Sequence, residues 1–352
     1  MINIDVISKK GELMFTHEPL LVSYRSQTLD TIHMGHLCVV DENSNVLFSV
    51  GDPDAFVFYR SCSKPIQALP VIVRRLDEKY GLTDEETTIF SASHLAEPFH
   101  VRAVESILAK AGFSESIMIM DPTYPGAFDA ELEVRKAGLP PRKVYHNCSG
   151  KHSGALLLQR ELGGKPEDYW KPNSVAQTEI KRVVAILSET EPDQIQVGVD
   201  GCGVPVFAVE MRKIAASFKN LVAPNKIPEA DLREAAERYI PRIHRYPQMI
   251  RGTGTLCALL NADPNILSKA GAAGVYTIGL KKEKIGIALK MTDGFSTVWP
   301  LIIHSLFEQI GYTNKDTLQG LRALMSDQLL NDNKEIVGHY EPCFTVPHKL
   351  IA

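Results

Sequence analysis

The sequence predicts an α+β fold: an antiparallel sheet built from strands at both ends of the chain and flanked by helices. Three observations predict it. Strand-like runs crowd the beginning: LLVSYRS (20–26), HLCVVDE (36–42) and NVLFSVGD (45–52). A second pair comes late, where GVYTIGLKKEKIGIALKMTDG (274–294) alternates on both sides of the Lys281–Lys284 cluster. Between them, residues of about 64–250 read mainly as helices. Strands from distant segments joined by helices pack as helices on the faces of one sheet. We therefore read residues 1–352 as a single domain, with the helical region inserted between the two strand groups.

The elements follow in order. Asn43-Ser44-Asn45 between the second and third strands marks a hairpin. After Ser63, KPIQALPVIVRRLDEKYG is a helix with Pro65 in its first turn and Gly81 past its end. Pro70 is expected to kink or interrupt it. TDEETTIFSAS (83–93) opens on a threonine cap with acids in its first turn. EPFHVRAVESILAKAG (97–112) has the helical period, and SGALLLQREL after His152 reads as a buried helix. VAQTEIKRVVAILSE (175–189) and VPVFAVEMRKIAASFKNL (204–221) read as amphipathic helices. EADLREAAERYIPRIHRY (229–246) adds another, broken by Pro241. VWPLIIHSLFEQIGY (298–312) is the last helix before the C-terminal segment.

Composition excludes several classes. Hydrophobic residues make up 44% and charged residues 23%, ordinary for a soluble globular protein. A net charge of -4, with no Lys/Arg run among aromatics, argues against nucleic-acid binding. MINIDVISKK has no apolar core of a secretory signal, and ALPVIV (68–73) is far too short to span a bilayer. No membrane association and a cytoplasmic location are the default expectations. The six cysteines are scattered without a CxxC pair, so they do not form a disulfide framework. Cys148 and Cys202 stand apart, because NCSG and DGCG are polar glycine-containing turns able to present a thiol to a ligand.

Five stretches carry candidate chemistry. In YRSCSKPIQALP (59–70), Ser61 and Lys64 lie three residues apart at the start of a helix. Such a pair shares a face, so the amine can reach the hydroxyl and remove its proton. The helix start also supplies backbone N–H groups for an oxyanion. To act as a base, Lys64 must be neutral, several units below its ordinary pKa of about 10.4, and Arg60 is an adjacent cation. The bland alternative is a serine cap beside a solvated lysine. SASHLAEPFH (91–100) places Ser93, His94 and Glu97 at a helix junction, where they either face a cleft or simply cap the turn. HNCSGKHSGALL (146–157) lacks the first glycine and the Ser/Thr of a phosphate loop, with Tyr145 and His152 in their places. It leaves open a metal site of Cys148, Cys202, His146 and His152 with Asp200, or a Lys151 whose charge keeps Lys64 deprotonated. QVGVDGCGVPVFAV (196–209) reads as a strand ending at Asp200, then a glycine turn, then a helix. KAGAAG (269–274) echoes the K-T-G element of penicillin-recognising enzymes, with alanine for threonine.

Taken together, RSCSKPIQA, SASH, HNCSGKH and DGCGVP resemble the asparaginase II family, the Rhizobium-type or class 3 L-asparaginases. The similarity runs from about Val22 to the VGHYEPCF ending. The resemblance implies a serine–lysine amidohydrolase acting on L-asparagine, a fold like serine β-lactamases and glutaminases, and a homodimer. It implies that Ser61 is paired with Lys64 and Ser93 with Lys269, with Ser61 favoured as nucleophile. It also implies a zinc ion held by Cys148, Lys151 and Cys202, orienting substrate rather than generating the nucleophile. Arg60 (or Lys269) is the candidate for the substrate α-carboxylate and Asp200 for its ammonium, with His94 lining the same site. The chain departs from the family pattern at Asp30-Thr31 before His33, at DPTYP (121–125), at Ala273 in GAAG and at Thr297. Rival readings are a penicillin-interactive serine hydrolase, another amidase, or an inactive zinc-binding relative.

Overall fold

The computed structural model of the chain describes residues 4–7, 13–347 and 349–351. Its strands are β1 (Ile4–Ile7), β2 (Leu13–Arg25), β3 (Thr28–Val40), β4 (Val46–Val50), β5 (Phe56–Phe58), β6 (Gln196–Val199), β7 (Pro205–Glu210), β8 (Ile266–Gly271), β9 (Val275–Leu280), β10 (Ile285–Met291), β11 (Gln328–Leu330) and β12 (Ile336–Pro342). Its helices are α1 (Lys64–Val73), α2 (Leu76–Lys79), α3 (Asp84–Thr88), α4 (Pro98–Ala111), α5 (Phe128–Lys136), α6 (Ser149–Glu161), α7 (Val175–Leu187), α8 (Met211–Val222), α9 (Ala230–Arg245), α10 (Leu256–Ala262), α11 (Trp299–Ile310) and α12 (Lys315–Leu324).

The large sheet runs β11-β12-β2-β3-β10-β9-β8, with β1 beside β2 and β4 beside β3. Every pairing in it is antiparallel. The early and late segments meet where β3 pairs with β10, Val40 opposite Gly286 and Gly35 opposite Met291. On the other side β12 pairs with β2. The expected α+β class, a sheet with strands from both chain ends, is therefore what the chain forms. Both expected hairpins are present, as β3–β4 and β9–β10.

One helix shows why the sheet accepts its cover. Gly279 and Gly286 are register partners on β9 and β10. A Cβ at 286 would lie 1.9 Å from the Ala215 carbonyl oxygen, and one at 279 would lie 2.6 Å from that of Phe218. The paired glycines let α8 lie almost on the sheet backbone, where it buries Ile214, Phe218 and Leu221. Any side chain at 286 would push the helix off, with a core-overpacking cost of about 1–3 kcal/mol or more.

Three local readings are corrected by the structure. Residues 204–221 are not one helix: Pro205–Glu210 form β7, central in a small sheet ordered β5-β7-β6, and the helix begins only at Met211. Pro205 through Val209 are all buried, and a short apolar run of this kind has no period that separates strand from helix. The strand ending at Asp200 consequently turns back into a hairpin, β6–β7, rather than into a helix. Pro241 does not break its helix; α9 continues through it to Arg245. The apolar face of α9, including Leu232, Ala236, Tyr239 and Ile243, is buried and offsets the one lost hydrogen bond. The helix expected through Gly81 does stop early, but after Val73 rather than at Pro70: Arg75 is left-handed (φ 48°) and α2 starts afresh. The cap at Thr83 forms as expected, a reciprocal box with Glu86, although α3 ends at Thr88 and a 3-10 turn carries Ile89–Ser91. No helix among the described residues is long and apolar enough to cross a membrane.

Candidate active site

The site forms where five segments converge: the start of α1, the extended residues after the Ile89–Ser91 turn, the start of α6, the β6–β7 turn and the end of β8. β5 runs into α1 through Arg60, whose backbone is left-handed (φ 49°), and a 3-10 turn over Arg60–Ser63 delivers Lys64 into the interior. Cys62 Sγ donates to the Lys269 carbonyl (3.0 Å), which holds β8 against this turn. α6 approaches from a third side. A Cβ on Gly150 would sit 2.2 Å from the Ile89 carbonyl oxygen, so only glycine in HNCSGKH allows the start of α6 this close.

Lys64 is fully buried, and its amine bonds three groups: the Ala92 carbonyl at 2.5 Å, Ser93 Oγ at 3.0 Å and Cys148 Sγ at 3.2 Å. Burial lowers its pKa, and the charge of Lys151 adds to that effect, against the pull of Cys148. Lys269 is also fully buried and donates to Ser93 Oγ at 3.0 Å and to the Ala270 carbonyl at 2.7 Å. Burial brings it down to about 8, with Lys64 among the lesser causes. One serine oxygen thus lies between two amines, each held below its ordinary pKa.

The structure brings Ser93 together with Lys64 as well as with Lys269. Ser61 is placed differently. It is half-buried at the head of α1, and among the described residues its hydroxyl makes no hydrogen bond; the Lys64 amine points to Ser93 instead. Arg60 and Asp200 are joined to each other: guanidinium Nε and Nη2 donate to one carboxylate oxygen at 2.9 and 2.8 Å. That oxygen also accepts the Gly201 N–H, so the carboxylate is anchored to the β6–β7 turn.

The two thiols sit side by side on the expected turns, but both are buried. Lys151 donates to Cys202 Sγ at 3.0 Å. The hydrogen bond from Cys202 brings Cys148 well below the usual thiol pKa, and Lys64 and Lys151 reinforce it. The same bond, with burial, raises Cys202. Burial opposes the charge of Lys151, but Cys202 and Cys148 outweigh it and raise its pKa. The two soft sulfurs, with the Lys151 amine once it has lost its proton, make a donor set suited to zinc. The histidines of the motif do not join it. His146 Nδ1 accepts the Cys148 N–H (3.1 Å), and His152 Nδ1 meets the Tyr169 hydroxyl (2.6 Å). No group of three His, Cys, Asp or Glu residues among the described ones is placed to hold a metal.

His94 has both ring nitrogens occupied. Nδ1 accepts the Ala96 N–H (3.1 Å), so Nε2 carries the proton and donates to Ser149 Oγ (2.8 Å), which in turn donates to the Val144 carbonyl (3.0 Å). Burial holds the ring neutral. It thereby ties the residues beside Ser93 to the start of α6. Neither this tie through Ser149 nor the Lys64–Cys148 contact was legible in the sequence, since both join segments about 50 to 85 residues apart. The glycine of HNCSGKH was the available signal for such a close approach.

The chain is similar to a β-lactamase from Mycobacterium bovis at 15% identity, over 78% of this chain and 94% of that one, with a TM-score of 0.42. It is similar to a Bacillus glutaminase at 12% identity, over 78% and 90% of the respective chains, with a TM-score of 0.36. No curated protein matches it. The family model for L-asparaginase II matches residues 21–342, nearly the whole chain and every segment that contributes to the site. The chain belongs to the L-asparaginase II family.

Proposed function

We propose that this amidohydrolase converts L-asparagine and water to L-aspartate and ammonia by a serine–lysine mechanism. The observation that carries the reading is the buried chain Lys64–Ser93–Lys269, in which each amine lies 3.0 Å from one hydroxyl. Such a chain accepts and returns protons without solvent, and it begins three residues from the reachable hydroxyl of Ser61.

In this reading Ser61 is the nucleophile. Lys64 takes its proton as Oγ attacks the carboxamide carbon, its amine turning from Ser93 to Ser61 once substrate is bound. Backbone N–H groups of the turn at the start of α1 receive the oxyanion. The C–N bond breaks as the leaving nitrogen takes a proton relayed through Ser93, and ammonia departs. A water molecule then gives one proton to the freed amine and adds to the acyl-enzyme ester. Aspartate leaves as Ser61 Oγ regains its hydrogen. Arg60 and Asp200 pair with each other in the substrate-free protein, so they offer a cation and an anion to the α-carboxylate and α-ammonium of an amino acid. Expected ammonia release is fast from asparagine and slower from glutamine and simple amides. A purified protein that releases ammonia from none of them removes the proposal.

Zinc fits the residues present, with Cys148, Cys202 and Lys151 as its ligands. When bound, it would supply a fixed positive charge that orients substrate. Loading requires the protons of Cys202 and Lys151 to leave, so uptake should strengthen with rising pH. Elemental analysis is expected to find about one zinc per chain, lost in Cys202→Ser. Protein that contains no zinc and takes none up on dialysis against it contradicts the assignment.

A further inference from the structure

A second concavity lies beside the site and shares with it Arg60, whose guanidinium the proposed function gives to the substrate. Its volume is about 250 Å³, and its wall includes Phe56, Val57 and Phe58 of β5, Val275 of β9, Lys290 of β10 and Arg60. We propose that it binds a small organic carboxylate whose apolar body packs on Phe56 and Phe58 and whose charge lies between Lys290 and Arg60.

The cations argue for the anion. Lys290 is half-buried, and its ammonium bonds the carbonyl of Ala273, which satisfies a hydrogen without neutralising the charge. Ala273 is held left-handed (φ 56°), in the β8–β9 turn, as it presents that carbonyl. Arg60 gives Nε and Nη2 to Asp200, and Asp200 is not part of the cavity wall. No carboxylate lines the cavity, although Asp293 lies close enough to Lys290 to favour its charge. Burial, and with it the charge of Arg60, disfavours the charge of Lys290, and burial, with Lys290 as a lesser cause, lowers both His17 and His36, which also line the cavity. An imidazole bears no negative charge in either form, so neither ring compensates the two cations. Like charges focused in a partly apolar concavity attract an anion.

The apolar wall selects the body. Phe56 and Phe58 are exposed at 42% and 41%, both on the same face of the edge strand β5. Covering them removes apolar surface from water, which a bare inorganic anion cannot do. The volume accommodates a carboxylate of about four to six heavy atoms beside the two rings.

Isobutyrate is the probe, and 3-methyl-2-butanone is its uncharged counterpart. Titration calorimetry on the full chain is expected to show millimolar isobutyrate binding, weakened about tenfold in Lys290→Gln and kept in Lys290→Arg. The ketone and formate should bind more weakly than isobutyrate, and Phe58→Ala should weaken isobutyrate and the ketone but not formate. Ammonia release by Lys290→Gln should match the unaltered protein, so the binding result stands whether or not asparagine is the substrate. No binding up to about 50 mM isobutyrate, or equal binding by Lys290→Gln and the unaltered chain, overturns the proposal.

Discussion

Ser61→Ala is expected to lower kcat/KM for amide hydrolysis by about 10³-fold or more, the usual consequence of losing a covalent nucleophile. The fold should be unaffected. The hydroxyl has no hydrogen-bond partner among the described residues, so its removal strands no buried group, and the thermal midpoint should stay within about 2 °C. The case for Ser61 over Ser93 is one of access. Ser93 is 4% exposed and its oxygen already meets two amines, whereas Ser61 is half-buried with its oxygen unengaged. Ser93→Ala should also be slow, through loss of the relay, but acid-quenched reactions should still carry the acyl group on the Ser61 peptide. An adduct on the Ser93 peptide would reverse the assignment and make Ser61 the auxiliary residue.

A steep acid limb is the second large effect. Lys269, brought by burial to about 8, can serve the Ser93 relay by accepting a proton from that hydroxyl only when it is neutral. Below that pH the neutral fraction falls about tenfold per unit, so kcat/KM should drop about 50-fold between pH 8 and pH 6 and level off above pH 8. The direction follows from the sign of the shift: a lysine at its ordinary value would place this limb more than two units higher. Lys269→Arg separates proton transfer from simple charge. A guanidinium stays protonated throughout, so the arginine variant should be as inactive as Lys269→Met. Activity retained with arginine would show that the position supplies charge alone. A profile flat from pH 6 to pH 8 would remove the proton-transfer role.

The same contacts show how far the sequence could be read. The hairpins at 36–52 and 274–294 carry their own turn signals and alternation, and both are present in the fold. The Thr83 cap is likewise local and formed as expected. Residues 204–210 were misread because a strand buried on both faces shows no periodicity, and its neighbours β5 and β6 come from distant parts of the chain. Pro241 was misread because a proline's local cost was weighed without the tertiary packing that offsets it. In the site, Ser93–Lys269 was expected from family resemblance alone. Lys64 was expected to turn toward Ser61 by its spacing, yet it lies against Ser93 and Cys148.

The sequence by itself determined the strand-forming ends, the helical middle, the N-terminal position of Ser61 and Lys64 on a helix, and the residue types able to do hydrolytic chemistry. These are properties of neighbours within a turn or a strand, where spacing fixes the backbone path though not the direction of a side chain such as Lys64. Only the tertiary structure decided which hydroxyl lies between two amines, which thiol meets which lysine, and that His94 faces inward to Ser149. Those outcomes depend on burial and on approaches such as α6 against Ile89, which are set by the packing of segments far apart in the chain. Burial is also what lowers the two lysines, and no local pattern of residues reports it.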